Sequence, residues 1–261
     1  MLKVLVIFGS KSDEDIYNVV IDHLKKANIK YDLRVLSAHR TPDEVEKAVK
    51  AEDFSVVIAG AGLSAALPGV VASKTLKPVI GIPVHSNYQG LDALLSIMQM
   101  PPGIPVLSVG VNKAEVAAEE AVNMLRNYDS VTLIGPKSNE AVTKAISIFN
   151  EFGIKYKFAD KPDKYGINIE FTFFDEPVEE TDELVIYVPL MIKKDDKAEA
   201  ALNILKHSNH GLWVGLNRGD NAALAAIEIM NLNGKYEIKL KEKRISDMEN
   251  VLMHDKKIRK K

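Results

Sequence analysis

The sequence predicts an α/β protein built on a doubly wound parallel sheet, and three observations predict it. Short runs rich in valine and isoleucine recur at Val4–Phe8, Tyr31–Leu36, Ser55–Ala59, Val79–Pro83 and Val106–Val111. Runs of that length and composition read as strands. Segments of helical period separate them, and parts of the second half of the chain repeat the first in the same order.

The elements follow in turn. Between the first two runs, Ile16, Val19, Val20, Leu24 and Ala27 fall on one helical face. After the second run, Thr41 is placed as an N-cap, Pro42 as a first-turn proline and Glu44 as the capping-box partner. Helical patterns also follow the third run, cover Leu91–Met98 and extend over Ala114–Leu125. A strict alternation of strand and helix calls for parallel strands with helices on both faces.

Three segments repeat. IGPKSNE at Ile134–Glu140 echoes FGSKSDE at Phe8–Glu14, and GIKY at Gly153–Tyr156 echoes NIKY at Asn28–Tyr31. VGLNRGDNAA at Val214–Ala223 echoes VGVNKAEVAA at Val109–Ala118. The fold is therefore expected to be duplicated in tandem, with a catalytic copy over residues 1–128 and a degenerate copy over 129–261. The second copy is shortened: Asp160–Leu184 carries Pro162, Gly166, Pro177 and an acidic cluster in place of the functional turns described below.

Composition narrows the function. A chain of 261 residues with 46% hydrophobic and 27% charged residues can bury a large core, and a formal net charge of −2 gives no footprint for nucleic acid. Lys256, Lys257, Arg259, Lys260 and Lys261 form a basic tip, expected to be a solvated tail. The absence of cysteine excludes disulfides, thiolate metal sites and a cysteine nucleophile. Neither a signal peptide nor a membrane span is expected, so a cytoplasmic location is the default. No spacing of His23, His85, His207, His210 or His254 with carboxylates suggests a metal site, and His23 reads as structural.

Chemistry is sought in the turns at the carboxyl ends of the strands, where such sheets bind ligands. The first turn, Gly9–Asp13, offers two hydroxyls, Ser10 and Ser12, and the Asp13 carboxylate; these also suit helix capping. The second, Ser37–Pro42, sets His39 beside Arg40. Imidazole moves protons near neutral pH, and guanidinium holds phosphate bidentately. The third, Gly60–Gly69, contains Gly62 and Ser64 among small residues that let backbone approach a flat ring or carbon dioxide. Segments Ser86–Gly90 and Gln99–Pro102 are placed as possible cover for the same edge.

Together, GSKSD, SAHRTP, the GAG turn with LPG, and LDALLSIMQMPPGIPV resemble the 5-(carboxyamino)imidazole ribonucleotide mutase family, the catalytic subunit of phosphoribosylaminoimidazole carboxylase, over about residues 3 to 125. The resemblance implies a flavodoxin-like three-layer fold, octameric assembly, and no metal or organic cofactor. It further implies that Ser10, Asp13 and Arg40 hold the ribose phosphate, that Ser12 and Ser37 line the pocket with Gly62 and Ser64, and that His39 is the acid/base. Carbon dioxide is then an intermediate or co-substrate, and two copies per chain suggest a homotetramer. One departure stands out: Leu63, Ser64 and Ala66 occupy positions where the mutase branch commonly has Gly, Ala and His. Direct carboxylation of aminoimidazole ribonucleotide, or a nucleotide-binding module without turnover, are the alternatives.

Overall fold

The computed structural model describes every residue except 1, 193, 195, 260 and 261. The first half runs β1 (Lys3–Phe8), a 3-10 turn (Lys11–Asp13), α1 (Glu14–Lys26), β2 (Lys30–Val35), α2 (Pro42–Lys50), β3 (Val56–Ala61), α3 (Leu67–Ala72), β4 (Val79–Pro83), α4 (Leu91–Met98), β5 (Leu107–Ser108) and α5 (Ala114–Met124). The second runs β6 (Val131–Ile134), α6 (Glu140–Phe152), β7 (Tyr156–Phe158), β8 (Ile167–Phe173), β9 (Val185–Leu190), α7 (Lys197–His207), β10 (Leu212–Trp213), α8 (Gly219–Met230) and α9 (Glu237–Ile258). Among the described residues, no helix lies between β8 (Ile167–Phe173) and β9 (Val185–Leu190).

All the strands join one sheet in the order β2-β1-β3-β4-β5-β10-β9-β8-β6-β7. Taken from its own first strand, each half has the order 2-1-3-4-5, which is the flavodoxin-like order. Pairing is parallel within each half. The halves meet edge to edge through β5 and β10, which are antiparallel with Ser108 opposite Trp213. The sequence predicts a parallel sheet, so this one antiparallel joint is a difference. Antiparallel pairing of two edges of like strand order relates the halves by an approximate two-fold axis.

Alternation along β1 explains the three layers. Val4, Val6 and Phe8 enter a core with residues of α1, α5, α6 and α8, whereas Leu5 and Ile7 enter the opposite one with residues of α2, α3 and α4. The first of these cores is continuous across both halves. On the other face, Leu94 and Met98 of α4 and Ala200 and Ile204 of α7 pack with Tyr187 and Trp213 at the seam.

The seam is matched from both sides. Asn112, with φ 59°, accepts the His85 amide at 2.8 Å and donates its own amide to Pro83 O at 2.8 Å. Asn217, with φ 57°, accepts the Met191 amide at 3.1 Å and donates to Pro189 O at 2.9 Å. A Cβ on Gly110 would overlap the Ser208 carbonyl after α7, and one on Gly215 would lie 3.0 Å from the Met98 carbonyl that ends α4. Both halves therefore close on each other through the same backbone positions.

Two further ties cross the molecule. Asn221 of α8 accepts the Gly103 amide at 3.0 Å and donates to Pro101 O at 2.9 Å. Gln99–Pro102 is thereby held at the junction with the second half, and none of its residues lines the cavity described below, which corrects its placement as cover. Arg244 of α9 donates to Ala72 O at 3.1 Å and pairs with the buried Glu228 at 3.2 Å, fastening the last helix to the end of α3. Burial pushes the Glu228 carboxyl up, against the pull of Arg244. At the tip, Lys256, Lys257 and Arg259 are exposed, and Lys260 and Lys261 lie outside the described residues. No helix among the described residues is long and apolar enough to cross a membrane.

Candidate active site

In the first half the chain leaves β1 toward β2 on one side and β3 on the other, which opens a crevice at the carboxyl ends of these strands. A cavity of about 530 Å³ occupies it, a size usual for small-molecule sites. All eight candidates from the sequence, Ser10, Ser12, Asp13, Ser37, His39, Arg40, Gly62 and Ser64, line this one cavity.

The first turn is tied down by the Gly9 amide, which donates to Gly60 O at 3.1 Å. Ser10 accepts the Ser12 amide at 3.2 Å and is 2.8 Å from the Ser12 hydroxyl. Asp13 could have served as the cap of α1, yet its side chain makes no cap hydrogen bond. Asn139, which precedes α6 as Asp13 precedes α1, does cap its helix, accepting the Ala141 amide at 2.8 Å. The Asp13 carboxylate is thus left for the cavity, 3.1 Å from the Ser12 hydroxyl. Burial pushes its carboxyl up, and the bond to Ser12 works in the opposite direction.

The second turn is fixed by Thr41, and not in the expected way. Pro42 opens α2, but the Thr41 hydroxyl caps nothing in that helix. It turns back instead, accepting the Ser37 amide at 2.9 Å and donating to Ser37 O at 3.2 Å. Glu44 in turn pairs with Lys47 at 2.7 Å. The loop so closed carries His39 and Arg40 at its exposed tip. Ser37 Oγ accepts the Arg40 amide at 3.2 Å, and one guanidinium nitrogen donates to Gly9 O at 3.2 Å, drawing the second turn against the first. The guanidinium has five N–H donors, so most of its fork remains available to an anion.

The third turn brings backbone to the cavity. A Cβ on Gly62 would meet nothing nearer than Val84 O at 3.5 Å, so the protein's own packing leaves room for a side chain there. Ser64 takes φ 49°, in the left-handed region. Sequence reasoning placed Ser86 as cover for this edge but missed Val84 and His85, which form the fourth wall with it beyond β4. Its signal was faint, because His85 stands in a segment without helical or alternating period. Of the other histidines, His210 rests its ring against Glu179 O at 3.1 Å, away from the cavity. Among the described residues no group of three or more potential ligands could hold a metal ion.

An α/β scaffold with a strand-end crevice, a guanidinium and an imidazole at its rim has groups of the chemistry that can hold an anion and move a proton. Comparison with known proteins narrows the class. A family model described as AIR carboxylase matches residues 3–133. The N5-carboxyaminoimidazole ribonucleotide mutase of Methanocaldococcus jannaschii is 52% identical over 126 residues, covering 48% of this chain and 80% of that protein. The mutase of the same name from Saccharolobus solfataricus is 48% identical over 129 residues, 48% of this chain and 82% of that protein. A crystal structure of PurE from Treponema denticola is 28% identical with a TM-score of 0.43, covering 48% of this chain and 83% of that chain. The chain belongs to the AIR carboxylase family.

Proposed function

We propose that the chain transfers a carboxyl group on a phosphorylated imidazole ribonucleotide, converting 5-(carboxyamino)imidazole ribonucleotide to 5-amino-4-imidazolecarboxylate ribonucleotide. The observation that carries this reading is the convergence of His39, Arg40, Asp13 and the serine hydroxyls on one crevice, in a half whose relatives bear the name of that mutase. Arg40, Ser10 and Asp13 take the ribose phosphate and its hydroxyls, and Ser12 and Ser37 line the pocket. Gly62 and Ser64 let the third turn lie close to the ring and to carbon dioxide.

The mechanism uses few groups. The bond from the exocyclic nitrogen to its carboxylate breaks, the electron pair stays on nitrogen, and carbon dioxide is held in the crevice. Ring carbon four forms a bond to that carbon dioxide and loses its proton, while the nitrogen gains one. His39 is an acid/base in this exchange. Confinement supplies the effective concentration that lets carbon dioxide recombine before it escapes. Purified chain given the carboxyamino nucleotide should form product without added bicarbonate; strict dependence on bicarbonate would assign direct carboxylation instead.

We also infer that residues 129–261 are a second, degenerate copy of the first 128. The shared strand order and the paired Asn112 and Asn217 support this. Pro136 and Asn139 stand opposite Ser10 and Asp13, and His39 and Arg40 have no counterpart, so each chain carries one site. Four chains then supply the eight domains of the octamer that the resemblance implies. Light scattering should give a mass near four chains, and a mass near eight would contradict it.

A further inference from the structure

The reaction proposed above needs two proton events at different atoms, loss at ring carbon four and gain at the exocyclic nitrogen. A single imidazole must then leave one atom and reach the other while carbon dioxide is still held. The cavity offers a second imidazole on another wall. His85 lies two residues beyond β4 and lines the crevice together with His39, although the two come from different strand ends. Its side chain is exposed, so the ring is free to meet a ligand.

Its backbone is not left to chance. The His85 amide donates to Asn112 Oδ1 at 2.8 Å, and Asn112 reaches that position through a left-handed backbone with its own amide on Pro83 O. Next along the chain, the Ser86 hydroxyl lies 3.4 Å from the Asp92 carboxylate. Val84 donates its amide to Ala61 O at 3.0 Å, which ties this wall to the third turn. The same Asn-to-amide device recurs in the second half, where Asn217 holds Met191 in place of a histidine. The device alone is therefore scaffold, and the imidazole is particular to the half that has the cavity. The third turn contributes no imidazole, because Ala66 lines the crevice there.

We infer that His85 is a second catalytic residue of the crevice, working with His39 so that one imidazole takes the carbon-four proton while the other supplies the proton to the departing nitrogen. The inference rests on the carboxyl-transfer reading. Proton count balances: one is removed from carbon, one is delivered to nitrogen, and the two imidazoles end with exchanged protonation states that solvent resets. The titratable and charged groups lining the cavity with His85 are Asp13, His39 and Arg40, and Asp92 lies behind Ser86.

The test is His85→Gln, with His85→Ala as a second variant, in the full chain. In His85→Gln, kcat should fall by about 100-fold with KM within about three-fold, the range expected when a general acid or base is removed. The pH–rate profile should lose one limb, and free imidazole should restore part of the rate of His85→Ala. Unchanged kcat with an unchanged profile, or an effect confined to KM, would overturn the assignment. A second readout does not need turnover: the His85 ring proton resonance, identified by its loss in His85→Gln, should shift when the aminoimidazole carboxylate nucleotide binds. No shift overturns the inference even if the wild-type chain is active. A wild-type chain inert toward the carboxyamino nucleotide defeats the carboxyl-transfer reading itself.

Discussion

Replacing His39 by asparagine should lower turnover by about 10²- to 10⁴-fold, the range expected when a positioned proton carrier is removed, while leaving nucleotide binding within a few fold. The separation follows from the geometry. His39 sits at the exposed tip of a loop whose shape is set by Thr41, Ser37 and the Arg40 contact to Gly9, so asparagine removes the imidazole and leaves the anion-holding arginine where it was. Binding of the product nucleotide by titration calorimetry and turnover by single-time-point assay read the two quantities separately. Turnover near the wild-type rate would move the proton chemistry elsewhere.

Replacing Trp213 by alanine should destabilise the whole chain by about 3–5 kcal/mol, the usual cost of emptying a large buried aromatic site. Trp213 is 2% exposed, stacks on Tyr187 with ring centroids 4.8 Å apart, and donates its indole N–H to His210 O at 2.8 Å. It also stands opposite Ser108 in the pairing that joins the halves. A truncation there opens a void at the seam, so both halves should lose stability together. The chain has a single tryptophan, so its fluorescence in the wild type reports the seam alone, while far-ultraviolet circular dichroism reports both halves. Urea transitions by the two signals should coincide in the wild type. A loss below about 1 kcal/mol in the variant, set against the range above, would show that the seam contributes little.

Much of this was legible in the residues. The Val and Ile runs marked β1 to β5, and Leu91–Met98 coincides with α4, because local period and composition decide elements that are buried on known faces. The three turns carrying His39, Asp13 and Gly62 were found because strand ends in such sheets are where ligands go. Three features were not readable. Thr41 matches a cap in sequence, but its hydroxyl is taken by Ser37, a choice made by loop closure and not by helix propensity. His85 joins the cavity only because β4 lies beside β3 and Asn112, 27 residues further on, fixes its backbone. The β5–β10 joint rests on two-residue strands, too short to show any alternation, and its direction is set by how the two edges meet.

Movement of the carboxyl group within the crevice of the first half, without exchange with solvent, is the expected course of the reaction. It is tested most directly by giving the chain carboxyamino nucleotide labelled with carbon-13 in its N-carboxylate, in buffer containing unlabelled bicarbonate, and measuring the label in the carboxylate of the product by mass spectrometry. Retention of most of the label, at the same level whatever the bicarbonate concentration, is the result predicted. Product carboxylate matching the isotopic composition of the added bicarbonate would contradict it.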